Sequence, residues 1–101
     1  MTRPKKIHNP LDAVREHLES GNYIFTIHAL ERLRQRNITD VETIDILVNG
    51  WHEKRKDKFD EVYEAWNYSI RGTTREESRD LRIIISFDGP MLIITVIDLN
   101  Q

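Results

Sequence analysis

Residues 25–39 read FTIHALERLRQRNIT, and this stretch guides the interpretation of the whole chain. It begins at the end of an apolar, β-type triplet. Thr26 is then placed to cap a helix by accepting a hydrogen bond from an amide of the first turn. Ala29, Leu30 and Leu33 have the spacing of an apolar stripe on that helix. The stretch therefore predicts a short strand followed at once by an amphipathic helix.

The same helix carries a second stripe of chemically useful side chains. His28, Arg32 and either Gln35 or Arg36 share a face, because residues three and four apart lie one above the other. An imidazole that titrates near neutrality can transfer a proton, and guanidinium groups can hold a phosphate and stabilise charge on its oxygens. In the alternative interpretation, His28 makes a local hydrogen bond and the arginines pair with surface carboxylates. Spacing alone leaves both open.

Helix signals flank this stretch on both sides. Asn9-Pro10 begins a helix that Gly21 ends. Thr39 and Glu42 form a capping box for another helix, which ends at Asn49-Gly50. The apolar side chains of that last helix are expected to point inward: Val41, Ile44, Leu47 and Val48.

After Trp51 the hydrophobic period changes toward two, which is typical of strands. The charge run 52–58 fits a short edge strand and a loop, and 62–72 alternates as a strand. The strongest strand candidates are 81–87 and 91–99, joined by a tight turn. The order predicts an α+β fold with helices packed on one face of a roughly four-stranded antiparallel sheet. The other face would be a partly polar surface or a homodimer contact.

Composition narrows the class of protein. The 101 residues fit a flexible arm, 1–8, and a single domain, 9–101. The chain has no cysteine, which is compatible with the cytoplasm, and no apolar stretch long enough to span a membrane. The histidines show no metal-ligand spacing, so neither a metal nor another cofactor is expected. Because the net charge is −2, any RNA binding must come from a local basic patch.

Two further arginines are candidates for such a patch. Arg82 lies in an otherwise apolar strand, where an uncompensated charge is costly. It either faces a functional groove or pairs with an acid such as Asp98, and the sequence leaves both open. Arg71 borders the polar hairpin loop 72–80 and joins either a basic rim or a solvated loop.

A resemblance to a known family adds to this picture. The pattern Thr26-x-His28-Ala29-x-x-Arg32-x-x-x-Arg36-x-Ile38-Thr39 resembles the domain-of-unknown-function 4258 family. Leu81-Arg82-Ile83-Ile84 and Ile93-Ile94-Thr95-Val96 resemble the two closing strands of that family. The family is similar in layout to RelE/ParE-type toxin ribonucleases and to barnase- and colicin-like folds, which cut RNA without a metal.

The resemblance implies roles for individual residues. His28, Arg32 and Arg82 are expected to be catalytic, and Arg36 and Thr95 to bind RNA phosphate, with Arg71 added from the basic rim. Two positions depart from the family pattern. Arg82 stands where many relatives have a histidine, and Ile97 stands where they have an aromatic residue. His28 is therefore the remaining proton carrier.

Two functions of different class follow. The first is a toxin-type, metal-independent endoribonuclease or RNA-binding protein of a toxin–antitoxin-like system, with RNA and a protein antitoxin as partners. The second is a non-catalytic module that uses the same fold to bind protein or nucleic acid. The placement of Arg82 distinguishes them, since the first requires Arg82 in the same groove as His28.

Overall fold

The computed structural model describes residues 3–100, which contain three α-helices and six strands. The α+β class predicted from the sequence is confirmed. In chain order the elements are α1 (Pro10–Ser20), β1 (Tyr23–Phe25), α2 (Ile27–Arg36), α3 (Asp40–Asn49), β2 (Trp51–His52), β3 (Lys58–Asp60), β4 (Ala65–Thr73), β5 (Asp80–Phe87) and β6 (Met91–Asp98). A single 3-10 turn, Lys54–Lys56, connects β2 to β3. None of the helices within residues 3–100 has the length and apolar character needed to cross a bilayer.

The sheet is six-stranded and mixed, so the predicted count of about four strands was too low. The predicted antiparallel direction holds for every pair except β1 with β6. The strand order is β1-β6-β5-β4-β2, and β3 also pairs with β4. The predicted hairpin of β5 and β6 is confirmed at the centre of this order. The error arose at the short strands. β1 has only three residues and pairs in parallel with β6, which lies far from it in the sequence.

The hydrophobic core lies between the helices and one face of the sheet. Its floor consists of apolar side chains from β4, β5 and β6 that are at most 1% exposed: Ile70, Leu81, Ile83, Ile85, Met91, Ile93 and Val96. The predicted inward face of α3 was partly wrong, since Val41 is 73% exposed and Val48 57% exposed. Thr43 and Ile46 are buried instead. The stripe of α3 is therefore set by packing on the sheet and includes a buried threonine that a purely apolar pattern overlooks.

The helix caps form largely as the sequence predicts. Thr26 Oγ1 accepts a hydrogen bond from Ala29 N at 3.1 Å, and Thr39 with Glu42 forms a complete capping box. α3 ends at Asn49 as predicted, and Gly50 after it has an extended backbone with φ −76°. A Cβ on Gly50 would lie 2.5 Å from carbonyl oxygens of Ile46 and Arg71. Glycine is required there by the close approach of α3 to β4.

The arm before α1 lies against the β3–β4 hairpin. Trp66 Nε1 donates to the Pro4 carbonyl at 2.8 Å, and the backbone N–H of Ile7 donates to Tyr68 Oη at 2.7 Å. Lys6 Nζ lies 2.8 Å from a carboxylate oxygen of Asp57. Residues 1, 2 and 101 fall outside the described residues, and the mobility expected of the arm remains a prediction.

Candidate functional site

A groove of about 580 Å³ lies between α2 and β6, and we call it the α2–β6 groove. It contains His28, Arg32, Arg36 and Thr95, all of which the sequence singled out, together with Val96, Ile97 and Asp98. The helical stripe predicted from spacing therefore faces a cavity, with the last strand of the sheet as its opposite wall.

Thr26 fixes the position of α2 on this wall. Its backbone N–H donates to the Ile93 carbonyl at 3.0 Å, and its hydroxyl donates to the Ile94 carbonyl at 2.9 Å. The β5–β6 register shifts by one residue at this point, because Ile84 lies opposite Thr95 whereas Ile85 lies opposite Ile93. The shift leaves Ile94 as an extra residue of β6, as in a β-bulge. It also turns Thr95 away from the core and toward the groove.

The imidazole of His28 is exposed, and within residues 3–100 it has no hydrogen-bond or ion-pair partner. Arg32 is half-buried and likewise makes no ion pair with a described residue. The surface pairs expected in the alternative interpretation are therefore not formed by these two side chains. Asp98 is a carboxylate in the groove wall, and its Oδ2 lies 3.6 Å from Nε of Arg79.

Arg71 and Arg82 lie in a different region, which we call the Glu53 cluster: Glu53, Arg71, Asp80 and Arg82. Glu53 is 1% exposed, and its carboxylate accepts from Arg82 Nε at 2.7 Å and from an Arg71 terminal nitrogen at 3.0 Å. Arg71 also donates to both carboxylate oxygens of Asp80, at 2.6 and 3.1 Å. Of the two alternatives for Arg82, pairing with an acid is confirmed. The acid is Glu53 rather than Asp98.

Strand pairing explains why these charges meet. His52 lies opposite Ile70, and the next residue, Glu53, donates its backbone N–H to the Ser69 carbonyl at 2.8 Å. Side chains two residues apart on a strand share a face, so Glu53 lies on the face that carries Arg71. Arg82 is directly opposite Arg71 in the β4–β5 register. All of these side chains point away from the helices.

The cluster shifts the pKa values of its members. The hydrogen bond from Arg82, helped by Arg71, lowers the pKa of Glu53 from 4.5 to about 2, although burial acts in the opposite direction. The hydrogen bond from Arg71 lowers the pKa of Asp80, and Asp80 and Glu53 together raise the pKa of Arg71. The cluster is therefore ionised at neutral pH, and its arginines are already bound to carboxylates.

The structure thus separates the predicted site residues into two groups. His28, Arg32, Arg36 and Thr95 share the α2–β6 groove, whereas Arg82 does not line it. Sequence reasoning missed Glu53, because this residue lies within a charge run that resembles an exposed edge. No local signal marks it as buried.

A second groove of about 600 Å³ lies on the sheet face opposite the helices. Thr26 and His28 line it as well, so the two grooves meet at His28. Its floor and walls come from the turn after β3 and from β4, β5 and β6. Sequence reasoning expected a partly polar surface on this sheet face but did not identify most of the residues that line the groove. Within residues 3–100, no three histidine, aspartate or glutamate side chains gather as metal ligands would.

A family model described as a domain of unknown function, DUF4258, matches residues 25–98. No curated protein and no solved structure gives a match to the chain. The matched segment runs from the end of β1 to the end of β6 and includes both grooves and the Glu53 cluster. Because it covers well over half of the sequence, the chain belongs to the DUF4258 family.

Proposed function

We propose that this protein is a toxin-type endoribonuclease of RelE/ParE-like layout that needs no metal, with the α2–β6 groove as its active site. The observation that supports the proposal is the presence of His28, Arg32 and Arg36 around one cavity. An exposed imidazole beside two guanidinium groups supplies a proton carrier and a binding site for phosphate oxygens. Reaction at an RNA phosphate requires both.

In the proposed reaction, the 2′-hydroxyl of the RNA attacks the adjacent phosphorus. His28 takes the hydroxyl proton while a new P–O2′ bond forms and the P–O5′ bond breaks. The leaving 5′-oxygen takes a proton from water, and the products are a 2′,3′-cyclic phosphate and a 5′-hydroxyl. Arg32 and Arg36 bind the non-bridging oxygens, where negative charge accumulates in the transition state. The hydroxyl of Thr95 donates to the same phosphate.

Arg71 and Arg82 have no direct part in this proposal. We give Arg82 no catalytic role and Arg71 no phosphate-binding role in this proposal, because both donate to Glu53 and Arg71 donates to Asp80 as well. We assign them instead to joining β4 and β5 to the segment after β2.

A second candidate function is RNA binding without cleavage at the same groove. The observation that favours it is the presence of one imidazole, His28, in the groove and the absence of Arg82 from its lining. General acid–base catalysis of phosphate transfer usually uses two proton carriers, and here water must replace one of them. In this candidate the groove holds RNA phosphates and leaves them intact.

The remaining parts of the proposal follow from the family likeness rather than from contacts within residues 3–100. A toxin of this kind acts in the cytoplasm and is held inactive by a protein antitoxin. A homodimer belongs to the same set of proposals.

A cleavage assay with chelator present tests the proposal. Wild-type protein should cut RNA, and His28→Ala should cut about 100-fold more slowly or worse, the range that general acid–base catalysis supplies. His28 is exposed, so this variant should fold normally. His8→Ala is the matched control, because His8 is also exposed and lies outside the groove. RNA binding without cleavage by the wild type would favour the second candidate, and neither binding nor cleavage would overturn both.

A further inference from the structure

The second groove differs chemically from the α2–β6 groove that it joins. Its floor contains Phe87, Leu92 and Ile94, and its lining is more apolar than polar. No arginine or lysine within residues 3–100 lines it. A phosphate therefore meets no guanidinium or ammonium group there, whereas a flat apolar group can be buried. The α2–β6 groove can therefore bind a negatively charged group, and the second groove beside it can bind an aromatic ring.

The rim of the second groove includes an aromatic side chain on a defined turn. Tyr63 is 81% exposed, so its ring is accessible to a ligand in the groove. The turn is held by Asp60, whose Oδ1 accepts from the backbone N–H groups of Val62 and Tyr63 at 2.9 and 3.1 Å. An exposed tyrosine beside an apolar floor is suited to stacking on an unpaired base.

Polar groups in the same groove are available to read the edge of a ring. The side-chain amide of Asn67 lines the groove and has no hydrogen-bond partner within residues 3–100. The carboxylates of Glu64 and Asp88 line it too, and neither makes an ion pair with a described residue. An ionised carboxylate can only accept hydrogen bonds. These groups favour a ligand that presents N–H donors.

We propose that the second groove binds the base of the nucleotide whose phosphate lies at His28. It selects bases with an exocyclic amino group over uracil. An exocyclic amino group presents two N–H donors to Glu64, Asp88 and the Asn67 oxygen, whereas the single N3–H of uracil lies between two carbonyl oxygens that the carboxylates repel. This inference rests on the proposed function, because it uses RNA phosphate at the α2–β6 groove to define the neighbouring position.

The test has two arms, the first with ligands that lack a phosphate and the second with oligonucleotides. In the first arm, isotopically labelled protein is titrated with adenosine, cytidine and uridine, and the NMR signal of the Asn67 side-chain amide is followed. In the second, the affinity of the protein is measured for labelled RNA hexamers that contain only adenine, only cytosine or only uracil. Their 2′-O-methyl groups prevent attack by the 2′-oxygen. We expect adenine and cytosine to bind about tenfold more tightly than uracil in both arms, the factor that one hydrogen bond supplies.

Variants assign this preference to the groove. Tyr63→Ala should weaken all three hexamers about tenfold, since stacking does not depend on the identity of the base. Glu64→Gln with Asp88→Asn should bring the ratio of adenine to uracil affinity close to one. Val62→Ala controls for the first change, because Val62 is 84% exposed on the same turn but does not line the groove. Glu76→Gln controls for the second, as an exposed acid elsewhere.

The outcomes separate this inference from the proposed function. Hexamers that bind without base preference, with no shift of Asn67 by any nucleoside, would overturn the base site and leave phosphate binding intact. Nucleosides that shift Asn67 while no hexamer binds would support the base site and contradict the proposed function. A shift of Asn67 caused by a lysine- and leucine-rich peptide, but by no nucleoside, would overturn the inference in favour of a protein partner.

Discussion

The α2–β6 groove and the Glu53 cluster each contain two arginines, yet Arg32 of the groove and the two arginines of the cluster differ in their partners. In the Glu53 cluster, Arg71 and Arg82 donate to carboxylates at 2.6 to 3.1 Å. In the groove, Arg32 makes no ion pair with a described residue. The difference teaches that the sequence position of an arginine, in an apolar strand or on a helix stripe, does not determine its role. The role depends on whether a carboxylate binds the guanidinium group, because a bound arginine joins strands and an unbound one can face a ligand.

The comparison also explains how a protein of net charge −2 can present a basic groove. In the Glu53 cluster, two carboxylates balance two guanidinium groups, so the cluster adds no net charge to the surface. The groove then keeps the positive charge of Arg32, which makes no ion pair with a described residue. Net charge alone is a poor guide to RNA binding in such a protein, because pairing distributes the charges unevenly.

Removing the carboxylate of Glu53 should have the largest effect on stability. Glu53→Ala leaves two largely buried guanidinium groups without their shared acceptor and should lower the free energy of unfolding by about 3 kcal/mol or more. Denaturation in urea measures the change. Glu76→Ala, which removes an exposed acid, should stay within about 0.5 kcal/mol of wild type. Equal stability of the two variants would show that the cluster is not a stabilising unit.

Lowering the pH should reduce the contribution of the Glu53 cluster to the stability of the wild-type protein. The pKa of Glu53 is lowered to about 2 in the folded protein, so its contribution is fully present above its ordinary pKa of 4.5 and is lost as the pH falls from there toward 2. Urea midpoints measured between pH 7 and 2.5 should therefore fall more steeply below pH 4.5 for wild type than for Glu53→Gln. Parallel curves would refute the assigned pKa shift.

Changing one arginine of α2 at a time should sharpen the comparison on the groove side. Arg32→Ala should weaken RNA binding and lower the slope of log K against log salt by about 0.7, the value for one lost contact to single-stranded nucleic acid. Arg34→Ala is the matched control, since Arg34 lies on the same helix with the same charge and is absent from the groove lining. Equal salt slopes for the two variants would place RNA phosphates outside the groove.

The smallest effect should come from the anchor of α2. Thr26→Ala removes the N-cap and the bond to the Ile94 carbonyl, and should cost about 1 kcal/mol of stability. It should also weaken RNA binding, because α2 then loses its attachment beside the groove. Thr39→Ala should cost a similar amount through the cap of α3 but leave RNA binding unchanged. An unchanged RNA affinity in Thr26→Ala would separate the anchor from the groove.

The parts of the fold that could be predicted from the sequence are those that depend on local sequence signals. The caps at Thr26 and Thr39 and the hairpin of β5 and β6 depend on residues close together in the chain, and all of them form. The grouping of His28 with Arg32 and Arg36 also follows from helical geometry alone.

The parts that could not be predicted depend on distant residues. Glu53 meets Arg82 only because β2 pairs with β4 and β4 with β5, and no pattern within a single strand encodes that register. The one-residue shift at Ile94, which turns Thr95 into the groove, is likewise a property of the paired strands. Periodicity assigns faces within an element, but the partner strand determines which charges meet.

The parallel pairing of β1 with β6 has a consequence for the order of events during synthesis. Tyr23 pairs with Met91, 68 positions later in the chain (91 minus 23), so α2 is synthesised well before the strand that forms its opposite wall. Non-local pairings of this kind form late. A growing chain on the ribosome therefore carries its histidine and arginines without a groove to place them in until β6 has emerged. If the protein cuts RNA, it can do so only after β6 has been made.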